Sequence, residues 1–129
     1  MKSAHDPRHQ KRREIVQQLF ALGFNSSQQA SEPAIQVAKQ QPQIDTLIAK
    51  AAPAWPIEKL NRIDLAILRL AVAEIMLEQV PPKVSIDEAV ELAKEFGSES
   101  SPSFVNGVLG TVLKNLQPDF EKEDKNAEN

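Results

Sequence analysis

The sequence predicts an all-α fold, a compact domain of six to seven helices in two small bundles that share one long central helix. Two observations carry this expectation. Apolar residues recur at helical spacing through most of the chain, and strand-like alternation is missing. Glycine is scarce, with 4 residues, and the one Asn-Gly pair, Asn106-Gly107, lies inside an apolar helical pattern and not between strands.

The elements follow in order. Asp6-Pro7 opens the first helix, a capping residue followed by proline at the first helical position. Ile15, Val16, Leu19, Phe20 and Leu22 form its apolar side, and Gly23 or Asn25 can end it. Arg8, Lys11 and Arg12 fall in the turns before that stripe, so they are expected to project beyond the core. A short helix is expected from about Pro33 to Gln40, then another from Ile44 to Ala52, broken by Pro53-Ala54-Trp55-Pro56. Trp55 reads as a core plug. Pro56 can start a single turn, and Asn61 can cap the helix that follows.

From Arg62 to Glu78 apolar residues cover nearly the whole circumference, the mark of a buried helix. Its charges must be paired or reach the rim, and for Arg69 an internal pair with a carboxylate is expected. Val80-Pro81-Pro82-Lys83 reads as a rigid connector. Ser85 and Glu88 have capping-box spacing. Ile86, Ala89, Val90, Ala93 and Phe96 then share one face, while Asp87, Glu88, Glu91 and Glu95 are expected to face outward. Gly97 ends that helix. Ser101-Pro102 starts the last one, which Phe104, Val105, Val108, Leu109, Val112, Leu113 and Leu116 carry to Pro118. Residues 1–118 thus form the domain, and 119–129 an acidic tail too poor in apolar residues to fold.

Composition narrows the function. The chain has 129 residues, no cysteine, and histidine only at His5 and His9, which argues against disulfides, thiolate metal sites and a His-based triad. No nucleotide-binding glycine loop appears, and the acidic run 87–95 reads as a solvated face. No catalytic constellation, cofactor or metal site is expected, and no apolar run is long enough to cross a membrane. The net charge of −3 hides an asymmetry: residues 1–20 hold five Lys/Arg against two carboxylates. Such a basic arm on an acidic body can contact nucleic acid or simply keep a helix start soluble. Gly107 and Gly110 each cost a helix about 1 kcal/mol relative to alanine, so close helix packing or close approach of a ligand is expected there. Phe104, near that helix start, suits either the core or stacking on an unpaired base.

Three runs carry a family resemblance. Trp55-Pro56-Ile57-Glu58-Lys59-Leu60-Asn61-Arg62-Ile63-Asp64-Leu65-Ala66-Ile67-Leu68-Arg69-Leu70-Ala71 resembles the central signature of the transcription antitermination factor NusB family. Pro82-Lys83-Val84-Ser85-Ile86-Asp87-Glu88-Ala89-Val90-Glu91-Leu92-Ala93-Lys94-Glu95-Phe96-Gly97 and Phe104-Val105-Asn106-Gly107-Val108-Leu109 are similar to its later motifs. The resemblance implies a NusB-like helical domain without enzymatic activity, acting in the cytoplasm. It implies binding of boxA-type single-stranded RNA in nascent ribosomal RNA transcripts, jointly with the ribosomal protein NusE, on elongating RNA polymerase, with suppression of premature termination. Carried over, Arg8, Lys11, Arg12, Arg13, Phe20, Ser100, Phe104 and Asn106 form the RNA face, and Asp64 and Glu74 lie toward NusE. Phe20 stands where a tyrosine is common, Ala73 where an aromatic is frequent, and Gly110 where the last motif often ends in Asp. The competing expectation is a protein-interaction module of the same fold that has lost specific RNA binding.

Overall fold

The computed structural model describes residues 6–25 and 29–117, and within them the chain is helical, with no strand. In order, the elements are α1 (Pro7–Leu22), α2 (Glu32–Lys39), α3 (Gln41–Ala51), a 3-10 turn (Ile57–Lys59), α4 (Arg62–Leu77), α5 (Pro82–Phe96) and α6 (Ser101–Leu116). The acidic tail expected at 119–129 lies outside the described residues.

Local chemistry sets most boundaries. The Asp6 carboxylate accepts the Arg8 backbone N–H at 2.8 Å, with Pro7 at the first helical position. Asn61 Oδ1 accepts the N–H groups of Ile63 and Asp64 and so caps α4. At the other end of α4, Glu78 sits in the left-handed region at φ 54°, which turns the chain toward Pro81. The capping box expected at Ser85 does not form. Proline needs no N–H partner in the first turn, so α5 begins at Pro82, and Ser85 lies one turn inside the helix and buried.

α4 organises the core. It packs against α1, α2, α3, α5 and α6, and its Leu68 and Val72 are fully buried. α1 and α2 pack together on it, as do α5 and α6, and α3 packs against α6 as well as α4 and so joins the two groups. The Arg69 guanidinium holds Asp45 of α3 through two hydrogen bonds of 2.9 and 2.8 Å, the internal pair expected for it. Gly97 is required by close approach: a Cβ there would lie 2.4 Å from the Ser101 side chain, which itself accepts the Ser98 N–H at 2.9 Å.

Three expectations change. Trp55 is 58% exposed and not a core plug. Flanked by Pro53 and Pro56, it stays on the outside of its loop, while Ala52 and Leu60 on either side enter the core. Its ring meets Phe104 edge-on at 6.1 Å, and Phe104 packs partly against the core. Second, Gly107 and Gly110 have nothing within 4 Å of a Cβ, so close helix packing does not explain them. Third, the buried face of α5 comprises Ser85, Glu88, Ala89, Leu92 and Ala93, so Glu88 faces inward. The reason lies in what α1 presents to it.

Candidate nucleic-acid interface

The first half of α1 has two faces of different character. His9, Arg12 and Arg13 recur at i, i+3 and i+4 and share the side that meets α4 and α5. Arg8 and Lys11 point away from it. The Arg8 side chain is 83% exposed and pairs with its neighbour Asp6, whose pKa is lowered by hydrogen bonds from the Arg8 side chain and backbone.

The inward side forms a buried ionic cluster. Arg12 donates to both oxygens of Glu74 on α4, Nε at 2.9 Å and Nη2 at 2.8 Å, and its Nη1 donates to Glu88 of α5 at 3.3 Å. The Ser85 hydroxyl donates to the same Glu74 at 3.0 Å. His9, 4% exposed, sets Nδ1 3.2 Å from Glu88 and Nε2 2.6 Å from Glu95. Arg13 pairs with Glu95 at 2.8 Å, and its guanidinium lies 5.6 Å over the Phe96 ring. Burial works against the charged imidazole, but the hydrogen bonds to Glu95 and Glu88 outweigh it, and the His9 pKa is raised. The Arg12 pKa is likewise raised, chiefly by Glu74.

Arg12 therefore does not project beyond the core. Its charge is neutralised at the α1–α4–α5 junction, because an unpaired guanidinium or carboxylate there would carry a desolvation cost of several kcal/mol. Glu74 is held the same way, and Asp64 is buried in the first turn of α4 with Oδ1 unpartnered.

The remaining candidates lie farther along α1 and at the start of α6. Glu95 and Phe96, which Arg13 touches, lead directly into the turn that ends at Ser100. There Ser100 and Asn106 are exposed and Phe104 half-buried. Phe20 sits farther along α1, 37% exposed, with its ring edge-on to Phe24 at 4.9 Å. Sequence reasoning missed Phe24 and Arg62. Phe24 is 64% exposed, and the Arg62 guanidinium lies 5.2 Å over its ring, so with Phe20 they form an exposed aromatic and cationic surface. Between α1, α2 and the end of α4 runs a groove of about 670 Å³ with Arg8 and Lys11 on its edge and Ile15, Val37, Leu70 and Ala73 among its apolar lining. The small side chain of Ala73 helps keep it open.

Exposed cations can bind phosphates and exposed rings can stack on bases, and α1 carries both, Arg8 and Lys11 in its first turns and Phe20 near its end. No helix of the described residues is long and apolar enough to cross a membrane.

Comparison with known proteins places the chain in a family and a fold. The NusB family model matches residues 9–114. The chain is 53% identical over 81 residues to the transcription antitermination protein NusB of Dehalococcoides mccartyi, covering 62% of this chain and 57% of that protein. Over 73 residues it is 52% identical to the NusB protein of Chloroflexus aggregans, covering 54% of this chain and 49% of that one. The matches thus span about half the length of these curated relatives. Among solved structures, T. maritima NusB superposes with a TM-score of 0.74 at 30% identity, covering 88% of this chain and 93% of the other. A structure of antitermination factors NusB and NusE in complex with double-stranded RNA gives a TM-score of 0.72 at 22% identity, with 85% and 99% covered, a likeness of fold.

Proposed function

Because the chain belongs to the NusB family, we propose that it is a non-enzymatic transcription antitermination factor of the cytoplasm. It binds boxA-type single-stranded RNA of nascent ribosomal transcripts together with NusE, on elongating RNA polymerase, and suppresses premature termination. The observation that carries this reading is the division of labour on α1. Arg8 and Lys11 stand exposed, Arg8 against its neighbour Asp6, on a helix whose Arg12 and Arg13 pair with carboxylates of α4 and α5. The fold-level likeness to a NusB solved with NusE and RNA supports the same partners.

In this reading Arg8 and Lys11 contact phosphates, Arg13 contributes from the edge of the cluster, and Arg12 holds the helix in place. Phe20, Ser100, Phe104 and Asn106 complete the RNA face, with Phe24 and Arg62 adding stacking surface. Asp64 and Glu74 shape the NusE side from within α4, since both are largely buried. The test is titration of a boxA-like single-stranded RNA with and without NusE at several salt concentrations. Tighter binding with NusE, weakening as salt rises, supports the reading. No RNA binding under any of these conditions, with NusE still bound, would instead identify a protein-interaction module.

A further inference from the structure

The His9 site poses a problem of proton count. A neutral imidazole has one N–H and one bare nitrogen lone pair. Here both ring nitrogens face carboxylate oxygens, Glu88 at 3.2 Å and Glu95 at 2.6 Å. With both carboxylates ionised, a neutral ring would aim its lone pair at an anionic oxygen, although the ring and Glu88 are almost wholly buried. Two N–H donors, and hence the imidazolium, satisfy both contacts.

The surrounding charges favour the same form. The groups facing the ring are Glu88 and Glu95 on α5, with Glu74 of α4 joined through Arg12. On α1 itself the neighbouring charges are Asp6, Arg8, Arg12 and Arg13, and Asp6 and Arg8 neutralise each other. Arg12 pairs with Glu74 and Glu88, and Arg13 with Glu95. A charged His9 places a positive charge between Glu88 and Glu95, which eases the burial of the Glu88 carboxylate. Among the described residues no group of three or more His, Cys, Asp or Glu is arranged to hold a metal ion.

We infer that His9, as an imidazolium bridging Glu88 and Glu95, is a proton-dependent clasp that seats the basic helix α1 and so positions Arg8 and Lys11. His9 is a positioning residue: it offers almost no surface to a ligand, and it acts through the helix it anchors. The link to RNA rests on the function proposed above, but the clasp itself can be read without RNA.

The test follows imidazole ¹⁵N and ¹H resonances of the full chain by NMR from pH 5 to 9.5, with His9→Gln assigning the signal against that of His5. Amide exchange in residues 8–13 is measured on the same samples, along with affinity for a boxA-like single-stranded RNA at fixed salt. The His9 ring is expected to be protonated on both nitrogens at neutral pH and to titrate above its ordinary value of 6.5. As it titrates, α1 amides should exchange about tenfold faster for each pKa unit by which folding raises the group, and RNA affinity should fall over the same range. Glu95→Gln provides the control that keeps the side-chain shape. Its amide can donate to the bare nitrogen of a neutral ring, so it should lower the His9 pKa and remove the pH dependence near neutrality without melting the helix. A His9 that is neutral at pH 7, or α1 exchange that ignores its titration, overturns the clasp. A clasp that titrates as expected while RNA affinity stays constant overturns its positioning role. A wild-type chain that binds no RNA at any pH refutes the proposed function, while the NMR and exchange results still decide the clasp.

Discussion

Arg12→Ala separates support of the helix from contact with RNA. The wild-type side chain is 11% exposed and meets Glu74 at 13% and Glu88 at 3%. Truncation removes two hydrogen bonds to Glu74 and one to Glu88, and it leaves two carboxylates with less positive charge in poorly hydrated surroundings. Breaking a buried pair from one side costs about 3–5 kcal/mol. Ser85 still donates to Glu74 and His9 still faces Glu88, so the lower end of that range is expected. For a chain of this size, about 3 kcal/mol corresponds to a fall in melting temperature of roughly 10 °C. Thermal unfolding followed by circular dichroism measures it. RNA affinity, read well below the melting point, should keep its salt slope, because Arg12 is not available to a phosphate. A variant that melts within about 2 °C of wild type, or one that stays folded and loses a full contact's worth of salt dependence, would refute this account of the cluster.

Other outcomes follow from the same structure. Leu68→Ala, at a fully buried position of α4, should cost about 2–5 kcal/mol in denaturant unfolding. The glycines should part company: Gly97→Ala must displace Ser101 and should destabilise by about 1–3 kcal/mol, whereas Gly107→Ala, in open space, should stabilise by up to about 1 kcal/mol. If Gly107→Ala stabilises the fold yet weakens RNA binding, the open face of α6 is kept for a ligand. Stability should also depend on pH with a definite sign. The His9 pKa is raised on folding, so its contribution is complete below 6.5 and is lost as pH rises through the folded value. The His9→Gln variant should lack that alkaline limb in urea melts.

Much of this was legible in the sequence, because apolar periodicity and capping chemistry act locally. Asp6-Pro7, Asn61, Gly97 and the Arg69 pair stand where residue chemistry placed them. What escaped was an interior face built from charged residues. The stripe Val16, Leu19 on α1 extends backwards at helical spacing through Arg12 to His9, and on α5 Ser85, Glu88 and Leu92 do the same. The geometric signal was present at both places. An apolar-only reading discards it, because a charge is buried only when its partner on another helix is known, and that is long-range information. Trp55 failed for the opposite reason: its size argues for burial, but the prolines around it fix the loop before packing can. Phe24 and Arg62 lie 38 residues apart in sequence, and only the fold brings them together.

In the proposed function the exposed cations of α1 hold RNA while the buried ones hold α1. The most direct measurement is the salt dependence of boxA-like single-stranded RNA binding by the double variant Arg8→Ala/Lys11→Ala, compared with wild type. Each lost phosphate contact should reduce the slope of log affinity against log salt by about 0.7, so the double variant should lose about 1.4, with melting temperature nearly unchanged. A folded double variant with wild-type slope and affinity would contradict the claim.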